Sequence, residues 1–143
     1  NGRLDTIQAA ILLEKLKIFD SELEKRNIIA LRYSKGLSQK FKVPFIPENY
    51  ITSWALYSVI LPSGMNRYEL IKALKSKNIP SVVYYEKPLH LQKVFNYLGY
   101  NEGDFPVSEN ISKNILSLPM HPYLNFLKQD KIIKILNDLS CRI

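Results

Sequence analysis

A single cysteine, Cys141, sits two residues from the end of the chain, so no internal disulfide is available and the fold must hold by packing. That scarcity agrees with a reducing compartment. No apolar run approaches the roughly 20 residues that cross a bilayer, and no charged-then-apolar leader with a small-residue cleavage site opens the chain. A cytoplasmic location with no membrane partner is expected. Repeats and low-complexity stretches are missing, as are helix-turn-helix, zinc-finger and RRM patterns, and no metal is expected.

What is present is apolar bulk: 143 residues with 46% apolar content suffice for one globular domain with its own core. The net charge of +7 would favour nucleic acid if the cations were clustered. They read as spread, with Lys15, Lys17, Lys25 and Arg26 near the start, Lys72, Lys75 and Lys77 on one helix, and Lys128, Lys131 and Lys134 on another. Spread charge marks a solvated surface, so no nucleic-acid partner is expected. The chain opens on Asn1-Gly2-Arg3 without an initiator methionine and enters a strongly apolar helical pattern within a few residues. It is expected to be a piece of something longer.

From Leu4 to Ile18 the pattern is apolar around most of the helix, with Asp5 and Gln8 at capping-box spacing, which predicts burial against more than one neighbour. Ser21 and Glu24 repeat that spacing, and Leu23, Ala30, Tyr33 and Leu37 mark one side of a second helix or of a bent continuation. Ser53 to Leu61 reads as a central strand. Asn66 with Glu69 caps a helix burying Leu70, Ile71 and Leu74, and Asn78 supplies a left-handed stop. A strand from Ser81 to Tyr85 follows. This strand–helix–strand order favours a crossover with an intervening strand or an adjacent parallel partner, and Ile115 to Leu118 is the candidate for the third strand. Pro106 to Asn114 begins like a short helix with Pro in its first turn. Leu127 to Leu139 closes the chain with Ile132, Ile133, Leu136 and Leu139 inward.

The stretch PSVVYYEKPLHLQKVF concentrates polar tips at a strand end. Tyr84 and Tyr85 are expected on opposite faces, and Pro88 steers Lys87 out of helix into an extended turn carrying His90. Binding groups gather where strands end in turns. The residues alone favour the plainer alternative, tyrosines that close the core with wet hydroxyls and a capping or surface histidine. Arg3 on its own reads as a salt bridge to Asp5 or a solvated helix-start residue. His121 reads as structural.

Five blocks in order, NGRLDTIQAAIL, SWALYSVIL, IPSVVYYEKPLHLQKVF, LGYNEGDFPVSE and ILSLPMHPYL, closely resemble the C-terminal region of the DegT/StrS family of pyridoxal-phosphate-dependent nucleotide-sugar aminotransferases. VYYEKPLHLQ looks most like the branch that aminates UDP-linked 3-keto sugars or their uronic acids, or UDP-4-keto sugars. The resemblance implies an α/β fold: the small C-terminal domain of a fold type I aminotransferase, a mixed three-stranded sheet flanked by helices. Residues 1–42 are then connecting and packing helices, and 53–143 the α/β part. Glutamate is the implied amino donor, a UDP- or dTDP-linked keto-sugar the acceptor, and a homodimer the assembly, in polysaccharide, lipopolysaccharide or glycan precursor synthesis.

The family's Schiff-base lysine, pyridine-pairing aspartate and phosphate-holding loops belong to a large domain whose sequence context is not in this chain. The resemblance therefore implies no catalytic residue here, and a fragment inactive alone. Carried over residue by residue, Asn1 resembles a donor to the phosphate of the neighbouring subunit's cofactor. Arg3 suits a phosphate or carboxylate of the substrate. Tyr84, Tyr85 and His90 match the segment that lies over the sugar nucleotide. The sequence departs from the family at Tyr84, where histidine is common, at Glu86, where proline is, and at Leu56, where glutamine is. A non-catalytic dimerisation or regulatory module is the alternative function.

Overall fold

The structure, a computed structural model, describes residues 2–141. Helix α1, Thr6–Gly36, is one continuous element of 31 residues. Asp5 caps it, its carboxylate accepting from the Gln8 N–H at 2.8 Å. Of the two readings at Ser21, a second helix or a continuation of the first, the chain takes the continuation. No proline or glycine interrupts residues 6 to 35, so the backbone ladder simply continues past a Ser–Glu pair on its surface.

Strand β1, Tyr57–Ile60, pairs antiparallel with β2, Ile115–Leu118, setting Tyr57 against Leu118 and Ile60 against Ile115. Lys42 adds one antiparallel bridge to Ile60 at one edge, and Val82 one to Ser117 at the other. The expected strand from Ser81 to Tyr85 is thereby reduced to a single bridge, and the sheet has two strands rather than three. Pro80 has no N–H to extend the ladder backwards, and the chain turns away after Val83. Val82 and β1 are each antiparallel to β2 and hence run parallel with β2 between them, which is the intervening-strand form of the crossover.

β1 also starts later than the sequence suggests. Trp54 holds φ +47°, a left-handed conformation that breaks the extended run before Tyr57. Asn66 caps α2, Arg67–Lys75, accepting from the N–H groups of Tyr68 and Glu69, and Asn78 stops it at φ +58°. Helix α3, Pro106–Asn114, and helix α4, Phe126–Ser140, lie where the sequence placed them.

One core joins the last turns of α1 to the sheet, α2 and α4. Ile29, Ala30 and Tyr33 meet Tyr57, Val59, Leu74, Leu116 and Leu136, all essentially inaccessible. Tyr33 stacks on Tyr57 with ring centres 5.0 Å apart and donates to the Pro119 carbonyl at 3.0 Å. Burial, with Tyr57 adjacent, raises the Tyr33 hydroxyl well above its ordinary value. Gly36 lets α1 approach α4, since a Cβ there would stand 2.9 Å from Ile133 Cδ1. Asn137 of α4 closes the joint, donating to the Gly36 carbonyl and accepting from the Ser38 N–H, both at 2.8 Å.

The first half of α1 stands outside this core. Ile7, Ile11, Leu12, Leu13, Leu16 and Phe19 are all exposed, so nothing in this chain supplies the neighbours their pattern predicts. No helix of the described residues is long and apolar enough to cross a membrane.

Candidate functional site

Beyond the Val82 bridge the chain enters a turn, the Tyr84–Tyr85 peptide being cis. Pro88 is extended at ψ 152°, and two short 3₁₀ turns follow, Leu89–Leu91 and Lys93–Leu98. A loop through Gly103, at φ +100°, then leads into α3. Between these segments lies an open pocket of about 650 Å³. Tyr84, Tyr85 and Leu89 form one wall, and Phe105, Val107 and Ile111 the other. Lys87 and Asp104 supply charge at its edge.

Tyr84 and Tyr85 border this one pocket, their rings edge to face at 5.6 Å, rather than pointing to opposite faces. Strand alternation does not reach them because the ladder ends at Val82. Neither hydroxyl has a hydrogen-bond partner among the described residues, so both are free to meet a ligand. They do not close the core: Tyr84 is 40% and Tyr85 73% exposed.

His90 is not on the pocket surface. Its Nε2 lies 3.0 Å from Glu109 Oε1, and both side chains are 8% exposed. The same carboxylate accepts from the N–H of Gly103 at 2.9 Å and of Phe105 at 3.3 Å. Burial works to raise the Glu109 carboxyl; the bonds from Gly103, His90 and Phe105 outweigh it and hold the group below its ordinary range. Sequence reasoning missed Glu109. An acidic residue in a first helical turn is common on dipole grounds, and only the fold shows that it reaches back to two amides and a histidine.

Arg67, also missed, is a buried arginine opening α2. Its guanidinium donates to the Ser112 carbonyl and, at 3.4 Å, to that of Ile115, and stands 3.9 Å from Glu86. It neutralises the carbonyl end of α3 and tethers the tyrosine turn to it. Leu56 is exposed.

Arg3 is exposed before α1, does not line the pocket, and makes no ion pair with Asp5, whose carboxylate caps the helix instead. Asn1 lies outside the described residues. Elsewhere, charge expected to be spread is partly gathered: Lys77 joins Lys128, Lys131 and His121 around a second cleft of about 570 Å³.

The residues of the tyrosine pocket do not fit a Schiff base to pyridoxal phosphate. A Schiff-base lysine is activated by desolvation or a neighbouring cation, and Lys87, the lysine at the tyrosine pocket, is solvent-exposed. The pocket's walls are mostly apolar, suited to holding rings rather than to moving protons.

The model of the DegT/DnrJ/EryC1/StrS aminotransferase family matches residues 1–137. Over 126 residues the chain is 39% identical to the UDP-2-acetamido-2-deoxy-3-oxo-D-glucuronate aminotransferase of Pseudomonas aeruginosa, covering 87% of this chain and 33% of that protein. A DegT DnrJ EryC1 StrS aminotransferase from Brucella abortus superposes with TM-score 0.86 at 48% identity, covering 96% of this chain and 36% of that one. Spr1654 from Streptococcus pneumoniae, in its PLP form, gives TM-score 0.86 at 26% identity over 98% and 36%. The chain thus spans about a third of the length of these relatives.

Proposed function

From the premise that this chain belongs to the DegT/DnrJ/EryC1/StrS aminotransferase family, we propose that it is the C-terminal part of a pyridoxal-phosphate-dependent nucleotide-sugar aminotransferase. Residues 1–42 connect it to the rest of that enzyme, and 53–143 form its small α/β domain. The observation that carries the reading is the pocket: the two tyrosines, which belong to a segment resembling the one the family sets over its sugar nucleotide, line an open pocket of about 650 Å³, their hydroxyls unpartnered among the described residues.

In this role Tyr84 and Tyr85 present ring faces and hydroxyls to a nucleotide or sugar ring, and Lys87 at the pocket edge meets a phosphate. Arg3 binds a phosphate or carboxylate of the substrate, and Asn1 reaches the cofactor's phosphate. The cofactor, held mainly by a domain outside this chain, supplies the electron sink that lets an amino group pass from glutamate to a keto-sugar. This chain binds, orients and excludes water. The exposed apolar half of α1 fits packing on that larger domain and within a homodimer. The substrate is a UDP- or dTDP-linked keto-sugar and the product a precursor of surface polysaccharide; the Pseudomonas relative favours a UDP-linked 3-keto-uronate. Purified full-length enzyme offered glutamate and a panel of UDP- and dTDP-linked keto-sugars tests this. Amino-sugar nucleotide should form with at least one of them, and formation with none sinks the substrate assignment.

A further inference from the structure

The two walls of the tyrosine pocket come from separate stretches, 84–92 and 104–115. Among the described residues one direct side-chain hydrogen bond joins them, that between His90 and Glu109. It lies behind the pocket: Phe105 and Leu89 line the cavity, and His90 and Glu109 do not.

We propose that His90 and Glu109 are a clasp that sets the width of this pocket, with His90 a positioning residue that touches no ligand. Glu109 gathers three donors on one carboxylate. Gly103 and Phe105 bring the loop before α3, and His90 brings the turn that carries Leu89. The imidazole also packs on Phe105 at 4.8 Å, and Phe105 on Tyr100 at 5.0 Å, so the ring that lines the pocket is fixed from behind on two sides. Gly103 is suited to its place, since φ +100° would strain any side chain. Arg67 supplies a second, longer tie, from Ser112 to Glu86. Losing the His90–Glu109 bond would leave both walls intact but no longer in register, and a buried carboxylate short of a donor.

The inference rests on the reading that this pocket takes the nucleotide, and the test separates the two. In the full-length protein, UDP is the probe and its dissociation constant is measured for wild type, His90→Ala, Glu109→Ala and the double variant. Each single change should weaken UDP binding about tenfold, the double change should add no more than about twofold, and His90→Gln, whose amide can reach the same carboxylate, should recover most of the loss. Losses that multiply in the double variant, or an unchanged constant in Glu109→Ala, overturn the clasp. Hydrogen exchange at the Gly103 and Phe105 amides reads the clasp with no ligand present, and should quicken about tenfold in both single variants. Unchanged exchange in His90→Ala overturns it. If wild type binds no UDP while exchange responds as expected, the clasp stands and the ligand assigned to the pocket falls.

Discussion

The indole N–H of Trp54 donates to Oδ1 of Asn27 at 2.7 Å, and the Trp54 carbonyl accepts from Arg26 at 3.1 Å. Two neighbours on α1 therefore hold a tryptophan in a left-handed conformation that costs roughly 1–3 kcal/mol. Asn27→Leu should destabilise the domain by about 1–3 kcal/mol, because the buried indole N–H loses its acceptor. Trp54 is the chain's one tryptophan, so its fluorescence in a urea titration reports the change directly.

Leu136→Ala removes an inaccessible side chain of α4 from the centre of the core. A loss of about 2–5 kcal/mol is expected, read as a lower urea midpoint with an unchanged slope.

Stability should fall with acid through Glu109. Its folded carboxyl titrates below the ordinary value of 4.5, so its contribution is complete above that value and disappears as pH falls through the folded pKa. Glu22, held down chiefly by the Tyr123 hydroxyl at 2.6 Å, acts in the same direction. Unfolding midpoints taken from pH 6 downward should decline more gently in Glu109→Gln than in wild type. Parallel curves would remove Glu109 from the explanation.

The 143-residue chain on its own should self-associate through the open half of α1. Light scattering should show oligomers that dissociate when Ile11 and Leu16 are both changed to Glu. A monomeric wild-type chain would contradict this.

Substituting Arg3 by Ala in the full-length enzyme should raise the Michaelis constant for the sugar nucleotide about tenfold or more, with cofactor retention little changed, as expected for loss of a charged substrate contact. An unchanged constant refutes its role.

Much of this fold is legible in short sequence signals. Asn66 and Asn78 bracket α2 because their side chains do local work that a sequence displays, and Ile115 to Leu118 is a strand of four buried or half-buried residues with a proline behind it. The site is less legible. Tyr84 and Tyr85 are visible as a pair, but their common pocket depends on the ladder ending at Val82, which is settled by its neighbours. His90 and Glu109 stand 19 residues apart, and nothing in either segment announces the other. Trp54 looks like strand because its left-handed backbone is imposed by Asn27 and Arg26, 27 and 28 residues earlier.

The decisive measurement is the visible absorbance of the full-length protein loaded with pyridoxal phosphate, before and after glutamate is added. The bound cofactor's band should give way to that of its amino form, with 2-oxoglutarate released in equal amount. If pyridoxal phosphate produces no protein-bound band, the fold has been kept without the chemistry, and this chain serves a binding or dimerisation module instead.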